Sequence, residues 1–226
     1  PPALGVAIAA ICGMVIFGGV RRITQVTEKI IPLLSFITIA VLLAVILKNR
    51  NEILPSIKLI LSQAFNIKSV FAGTGGYTAA KAIKYGIARG VFSNEAGLGS
   101  SPIVHSAADV GSPEIQGLWG IVEVFIDTVV MCSLTALAML TSGAWQPDTS
   151  LSPTKISSLA FESVLGNKAG IFLSIALGMF AFATIIGWGY YGEKAAEYAF
   201  GEKSITLYRL IYLACIIIGA CAQLET

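Results

Sequence analysis

Long, nearly unbroken apolar runs recur along this chain, and they constrain its fold more than any other feature. Ala3–Val20, Ile31–Leu47, Gln116–Leu140, Gly170–Tyr190 and Leu207–Cys221 are the clearest. A helix crossing the hydrocarbon of a bilayer needs roughly 20 predominantly apolar residues. Lipid offers no hydrogen-bond partners, so a spanning segment must satisfy its own backbone as a helix or in a closed barrel. Runs of this length read as spanning helices. Composition agrees: 55% of residues are hydrophobic and 12% charged, against about 25% charged in soluble domains. The expected fold class is all-α transmembrane.

A formal net charge of +2 with scattered basic residues gives no stripe for a phosphate backbone, so no nucleic-acid partner is expected. Cys12, Cys132, Cys215 and Cys221 lie inside apolar runs without metal-type spacing and read as plain buried thiols. The chain starts PPALG and stops at QLET, and the expectation drawn from this is an internal piece of a longer polypeptide.

Spans are expected at about 3–20, 31–47, 71–108 (discontinuous), 113–142, 170–191 and 206–221, with an extramembrane insert at 144–169. RRITQVTEKIIP reads as a short loop of mixed charge, cytoplasmic by its paired arginines. Within KNRNEILPSIKLILSQAF, Pro55–Phe65 suits a short helix at the membrane interface. Ser112 and Pro113 suit a helix start, as do Ser152 and Pro153, and Gly166 suits a helix end. The Lys and Arg tally of alternating loops is too even to fix orientation.

FSNEAGLGSSP, Phe92 to Pro102, is polar and glycine-rich between apolar segments. Gly90, Gly97 and Gly99 permit backbone angles that other residues avoid. Ser101 and Pro102 can open a new helix, so a helix ending near Gly90 or soon after is expected to be broken here. Open backbone against lipid costs several kcal/mol per group, but it can line a cavity and bind a carboxylate or a small cation. Ser93, Asn94 and Ser100 add polar side chains, and Glu95 is an acid at membrane depth, available to Arg89, to the loop or to a cation. The competing reading is a plain turn at the membrane surface.

In ALGMFAFATIIGWGYYGEK, Ala176, Phe180, Thr184 and Trp188 share a helix face. Thr184 can offer its hydroxyl to a cation or bond its own backbone, and Trp188 can wall a pocket or anchor at the interface. Asp127, with Glu123 one turn earlier, can mark an ion path or bond hydroxyls such as those of Thr128 or Ser133. His105 is the sole histidine, so no histidine metal cluster exists. Phosphate loops, serine elbows and HExxH are absent, and an intramembrane enzyme would lack a nucleophile or a ligand set.

RGVFSNEAGLGSSPIVHSAA, FIDTVVMCSLTALAML, FAFATIIGWGYYGEKAAEYAFG and GGVRRITQVTEKIIP, together with the Ala64–Gly76 run, resemble the alanine or glycine:cation symporters across essentially the whole chain. These are bacterial transporters that take up small neutral amino acids with sodium or sometimes protons. The resemblance implies a partial LeuT-type inverted-repeat fold, roughly helices four to nine, with a discontinuous sixth helix and an extracellular helical insert. It implies substrate contacts at Phe92, Ser93, Asn94, Thr184, Ile186 and Trp188, and broken-helix backbone at Gly90, Glu95, Gly97 and Gly99. Thr184 would be the contact for a sodium ion, the coupling ion, with a proton as the alternative. The N-terminal half of the same transporter, with the first helix, would be missing and would supply the rest of both sites. The expected activity is sodium-coupled symport of alanine or glycine by alternating access in a bacterial inner membrane, without organic cofactor. The alternatives are a same-fold transporter of another solute and a non-transporting structural fragment.

Overall fold

A computed structural model describes residues 2–64, 74–146 and 151–222. The opening of the expected 71–108 span and residues 147–150 of the expected insert lie outside the described residues. In chain order the helices are α1 (Pro2–Ile16), α2 (Gly19–Lys48), α3 (Ile53–Ala64), α4 (Thr74–Asn94), α5 (Ser101–His105), α6 (Pro113–Thr141), α7 (Pro153–Leu165), α8 (Ala169–Phe200) and α9 (Ser204–Cys221). Among the described residues, the stretches long and apolar enough to cross a membrane are Gly19–Lys48, Pro113–Thr141, Pro153–Phe200 and Ser204–Cys221. The chain is a multi-pass helical membrane protein.

The segment RRITQVTEKIIP is helical rather than a loop, the first third of α2. Its apolar residues explain why. Ile23, Val26 and Ile30 recur at helical spacing; Ile23 is buried and Val26 packs beside it. The charged residues Arg21, Arg22, Glu28 and Lys29 stay exposed. Pro32 lies inside α2. A proline has no N–H to give, so the carbonyl four residues earlier, Glu28, lacks its helical partner.

Two compact units emerge. One gathers Pro1–Ser35, Pro102–Ala108 and Ile175–Thr226. Its core is Cys12, Val15, Ile16, Ile23, Ile186 and Tyr190, with Ile103 of α5 packed against it. Here α1 lies along α9, and a Cβ added at Gly5 would come within 2.8 Å of the Ala220 methyl. Small residues let helix backbones approach this closely in a bilayer, where close packing replaces the hydrophobic effect. The α8–α9 contact is polar as well. Tyr212 donates its hydroxyl proton to the Ile185 carbonyl at 2.7 Å, and Arg209 donates to both Glu193 carboxylate oxygens at 2.7 and 2.8 Å. Gly192 has no side chain because the Tyr208 hydroxyl fills that space.

The second unit gathers Phe36–Ser101 and Asp109–Ser174. Leu42, Val45 and Ile46 of α2 pack with Ala138, Ala160, Phe161, Ala169 and Leu173. Phe161 and Phe172 meet edge to face, 5.8 Å between centroids. Lys48 closes α2 by donating to the Ser163 carbonyl, and the Asn49 side chain returns to the Val45 carbonyl at 2.9 Å. α7 opens where Ser152 accepts from the Lys155 backbone N–H at 3.4 Å, and it ends at Gly166 with φ +54°. Ser112 precedes α6 in extended backbone with Pro113 at the first helical position, but its side chain makes no capping bond.

Outer faces remain apolar. Leu118, Ile121 and Phe125 on α6, and Leu207, Leu210 and Ile211 on α9, are all exposed. In water such faces would drive aggregation; against hydrocarbon they are neutral.

Candidate functional site

The helix-stopping chemistry of FSNEAGLGSSP is explicit in the second unit. α4 runs through Gly90 to Asn94, four residues beyond the glycine expected near its end. Gly90 is therefore helical, and the break comprises residues 95–100. Asn94 ends the helix by local competition. Its side-chain oxygen accepts from the Ala96 N–H at 2.9 Å and draws the backbone out of the helical path. Glu95 then turns to φ +54°, a left-handed angle unusual for a residue with a Cβ, and Gly97 and Gly99 follow at φ +82°. Strain of this kind costs on the order of 1 kcal/mol and persists only where surroundings hold it. The holding contact is visible: Ser100 donates its hydroxyl proton to the Glu95 carboxylate at 2.7 Å, closing the turn on itself. Glu95 thus orients the loop. Ser101 and Pro102 begin α5. Residues 96–99 are exposed.

Across from the end of α4 lies a second irregularity, one that leaves no mark in the apolar pattern. Within α6, Phe125–Met131 winds as a π-helix, and the Cys132 N–H reaches back five residues to the Asp127 carbonyl. Such wider turns are rare and often mark functional sites. Asp127 and Thr128 sit on this turn and meet consecutive residues of α4. Ser93 donates to the Asp127 carboxylate at 2.8 Å, and the Asn94 amide nitrogen donates to the Thr128 hydroxyl oxygen at 2.7 Å. The Ser93 proton is thereby committed to Asp127, and its oxygen lone pairs are left to accept. Asn94 has a donor in one bond and an acceptor in another, so its amide orientation is fixed by the network. The hydroxyl that Asp127 meets is that of Ser93 rather than one on its own helix, and the bond from Asn94 to Thr128 has no counterpart in the sequence pattern. Phe92, beside them, is 62% exposed.

The remaining expected residues belong to the first unit. Thr184 is exposed on α8 and donates its hydroxyl proton to the Phe180 carbonyl at 3.0 Å. With its proton turned inward, the oxygen presents lone pairs outward, the polarity a cation needs. Trp188, one turn on, is 41% exposed and stands edge to face with Tyr191 at 5.8 Å. Ile186 does not share their face. It is fully buried in the core with Cys12, Val15 and Ile16. Residues two apart on a helix point about 200° apart, so Thr184 and Ile186 cannot both face one solute on the same side.

Among the described residues, no group of three His, Cys, Asp or Glu side chains gathers to hold a metal ion. A cavity of about 340 Å³ in the second unit is lined by Leu59, Ile60, Ala136, Met139, Leu140 and Trp145. That lining holds no charged group for a zwitterion.

The full chain, residues 1–226, matches the sodium:alanine symporter family. It is 38% identical to the uncharacterized transporter YflA of Bacillus subtilis, over 96% of this chain and 46% of that protein. It is 36% identical to the sodium/alanine symporter AgcS of Methanococcus maripaludis, over 99% and 49%. It is 35% identical to a Bacillus subtilis protein named as a probable sodium/glutamine symporter, GlnT, over 98% and 46%. The chain spans about half the length of the curated relatives it matches. With a match running from the first residue to the last, the chain belongs to the sodium:alanine symporter family.

Proposed function

We propose that this chain is the part of a secondary transporter that carries half of its solute and cation sites, and that the whole protein moves a small neutral amino acid with sodium by alternating access. The observation that carries this reading is the polar break at residues 95–100, open and strained in an otherwise apolar helical chain of this family. Broken helices of LeuT-type transporters offer amides to anionic groups and carbonyls to cations. Here Ser93, Asn94 and the adjoining backbone receive the amino acid, with Phe92 as an apolar wall. In the first unit, taken by itself, Thr184 contributes an oxygen to sodium with Trp188 as an apolar neighbour one turn on, while Ile186 is left to core packing. The break corresponds to the discontinuous helix of an inverted-repeat fold, and α7 to an extracellular insert. The rest of both sites comes from an N-terminal half of the transporter, and the membrane is a bacterial plasma membrane.

Alanine or glycine is the primary substrate. A relative's name includes glutamine, which makes the larger neutral amide the first competitor to test. Sodium and solute must each favour the state that binds the other, because coupling is reciprocal. The test is uptake of labelled alanine, glycine and glutamine by the full transporter, with sodium exchanged for potassium at several pH values. Sodium-dependent, saturable uptake with counterflow is expected; uptake driven by pH alone would move the coupling to protons. Asn94→Ala and Thr184→Ala should each reduce uptake strongly at unchanged membrane abundance. Normal kinetics for both variants at limiting sodium would refute the site.

A further inference from the structure

We infer that Asp127 and Thr128 are positioning residues for solute binding, and that the π-helical turn of α6 exists to hold them against the end of α4. This rests on the reading of Ser93 and Asn94 as solute contacts.

The two hydrogen bonds are parallel rungs. Ser93 meets Asp127 and Asn94 meets Thr128, so consecutive residues on one helix bond consecutive residues on another. In a regular α-helix, adjacent side chains point about 100° apart, so a consecutive pair addresses one neighbour at a wide angle. The wider π turn reduces that divergence, and the Cys132-to-Asp127 backbone bond shows it is present at these two positions. The rungs also define register: a slip of one residue would set Asn94 against Asp127 or Val129 and dissolve the pair.

The consequence reaches the solute through Asn94. One end of its amide unwinds the helix at Ala96, and the other end is tied to Thr128. Without Thr128, the amide regains its rotamers and the helix end loses the anchor that fixes where the break begins. Asp127 acts similarly on Ser93: it accepts the hydroxyl's hydrogen bond, which keeps the outward lone pairs of that oxygen free to accept. Neither residue needs to touch the solute.

The test uses the full transporter, reconstituted, with KM and Vmax for sodium-dependent alanine uptake and membrane abundance measured together. Thr128→Val keeps the shape and removes the acceptor; Thr128→Ser keeps the acceptor. Loss of one orienting hydrogen bond should raise KM about tenfold in the valine variant with Vmax within about twofold, while the serine variant stays within about twofold in both. A valine variant with wild-type KM, or a serine variant as impaired as valine, overturns the inference. If the valine variant fails to reach the membrane, the Ser93→Ala and Asp127→Ala cycle decides. Non-additive changes in log KM support the rung, and additive changes overturn it. Amide exchange at residues 95–100 provides an arm independent of transport. It should accelerate in Thr128→Val and not in Thr128→Ser, and unchanged exchange in valine counts against the clamp. A wild type lacking sodium-dependent uptake defeats the proposed function itself, and exchange then judges the clamp alone.

Discussion

Removing Arg209 should damage the first unit far more than removing Arg209 and Glu193 together. Glu193 is 5% exposed on α8, and both its carboxylate oxygens accept from Arg209 on α9, at 2.7 and 2.8 Å. The guanidinium also lies over the Phe17 ring, 5.6 Å from its centroid. Taking two charges out of water costs about as much as their attraction returns, so a buried pair is near break-even against an apolar pair of similar volume. Breaking it from one side is different: Arg209→Leu leaves a carboxylate without its counter-charge, at a cost of about 3–5 kcal/mol. In a melt of the full transporter that is a drop of several degrees in Tm. The double variant Glu193→Leu/Arg209→Leu should recover most of the loss. The assay is thermal melting of the detergent-purified transporter at one fixed scan rate, since membrane proteins often unfold irreversibly. If Arg209→Leu melts with the wild type, or if the double variant melts as low as the single, the pair is not buried and mutually dependent as described.

Two further outcomes follow from local geometry. Gly192→Ala places a methyl where the Tyr208 hydroxyl sits, so it should lower Tm by several degrees, and adding Tyr208→Ala should restore part of that, as read in the same melting assay. Ser152→Ala removes the side-chain acceptor at the start of α7 and should cost about 1 kcal/mol locally, seen as faster hydrogen exchange at residues 154–157 with uptake kinetics unchanged.

How far the sequence could be read depended on whether a feature has a local chemical cause. Ser152, Pro153 and Gly166 act on their own backbone, and α7 begins and ends at them. The break after Asn94 is equally local, since one side chain and three left-handed residues make it. The helical course of RRITQVTEKIIP was hidden by its charges, although Ile23, Val26 and Ile30 already carried the helical period. Ile186 is packed in the core on a face that a helical wheel separates from Thr184. The π turn could not be read, because i+5 winding is selected by neighbours and leaves no change in composition. The Ser93 and Asn94 partners lie 34 residues away with no repeat to align them. The Glu193–Arg209 pair did leave a trace: Arg209 is a lone base within an apolar segment, and such a residue needs a counter-charge nearby.

Pro32 gives α2 a limit of travel across the bilayer. The carbonyl it deprives belongs to Glu28, in the exposed, charged third of the helix, where solvent can serve it. Sliding α2 deeper by a turn would carry that oxygen, with Lys29 close behind, into hydrocarbon, a change worth several kcal/mol. Sliding it outward would wet Leu33 and Phe36. A single imino acid thus helps fix immersion depth, much as a collar on a shaft keeps it from sinking through its bearing.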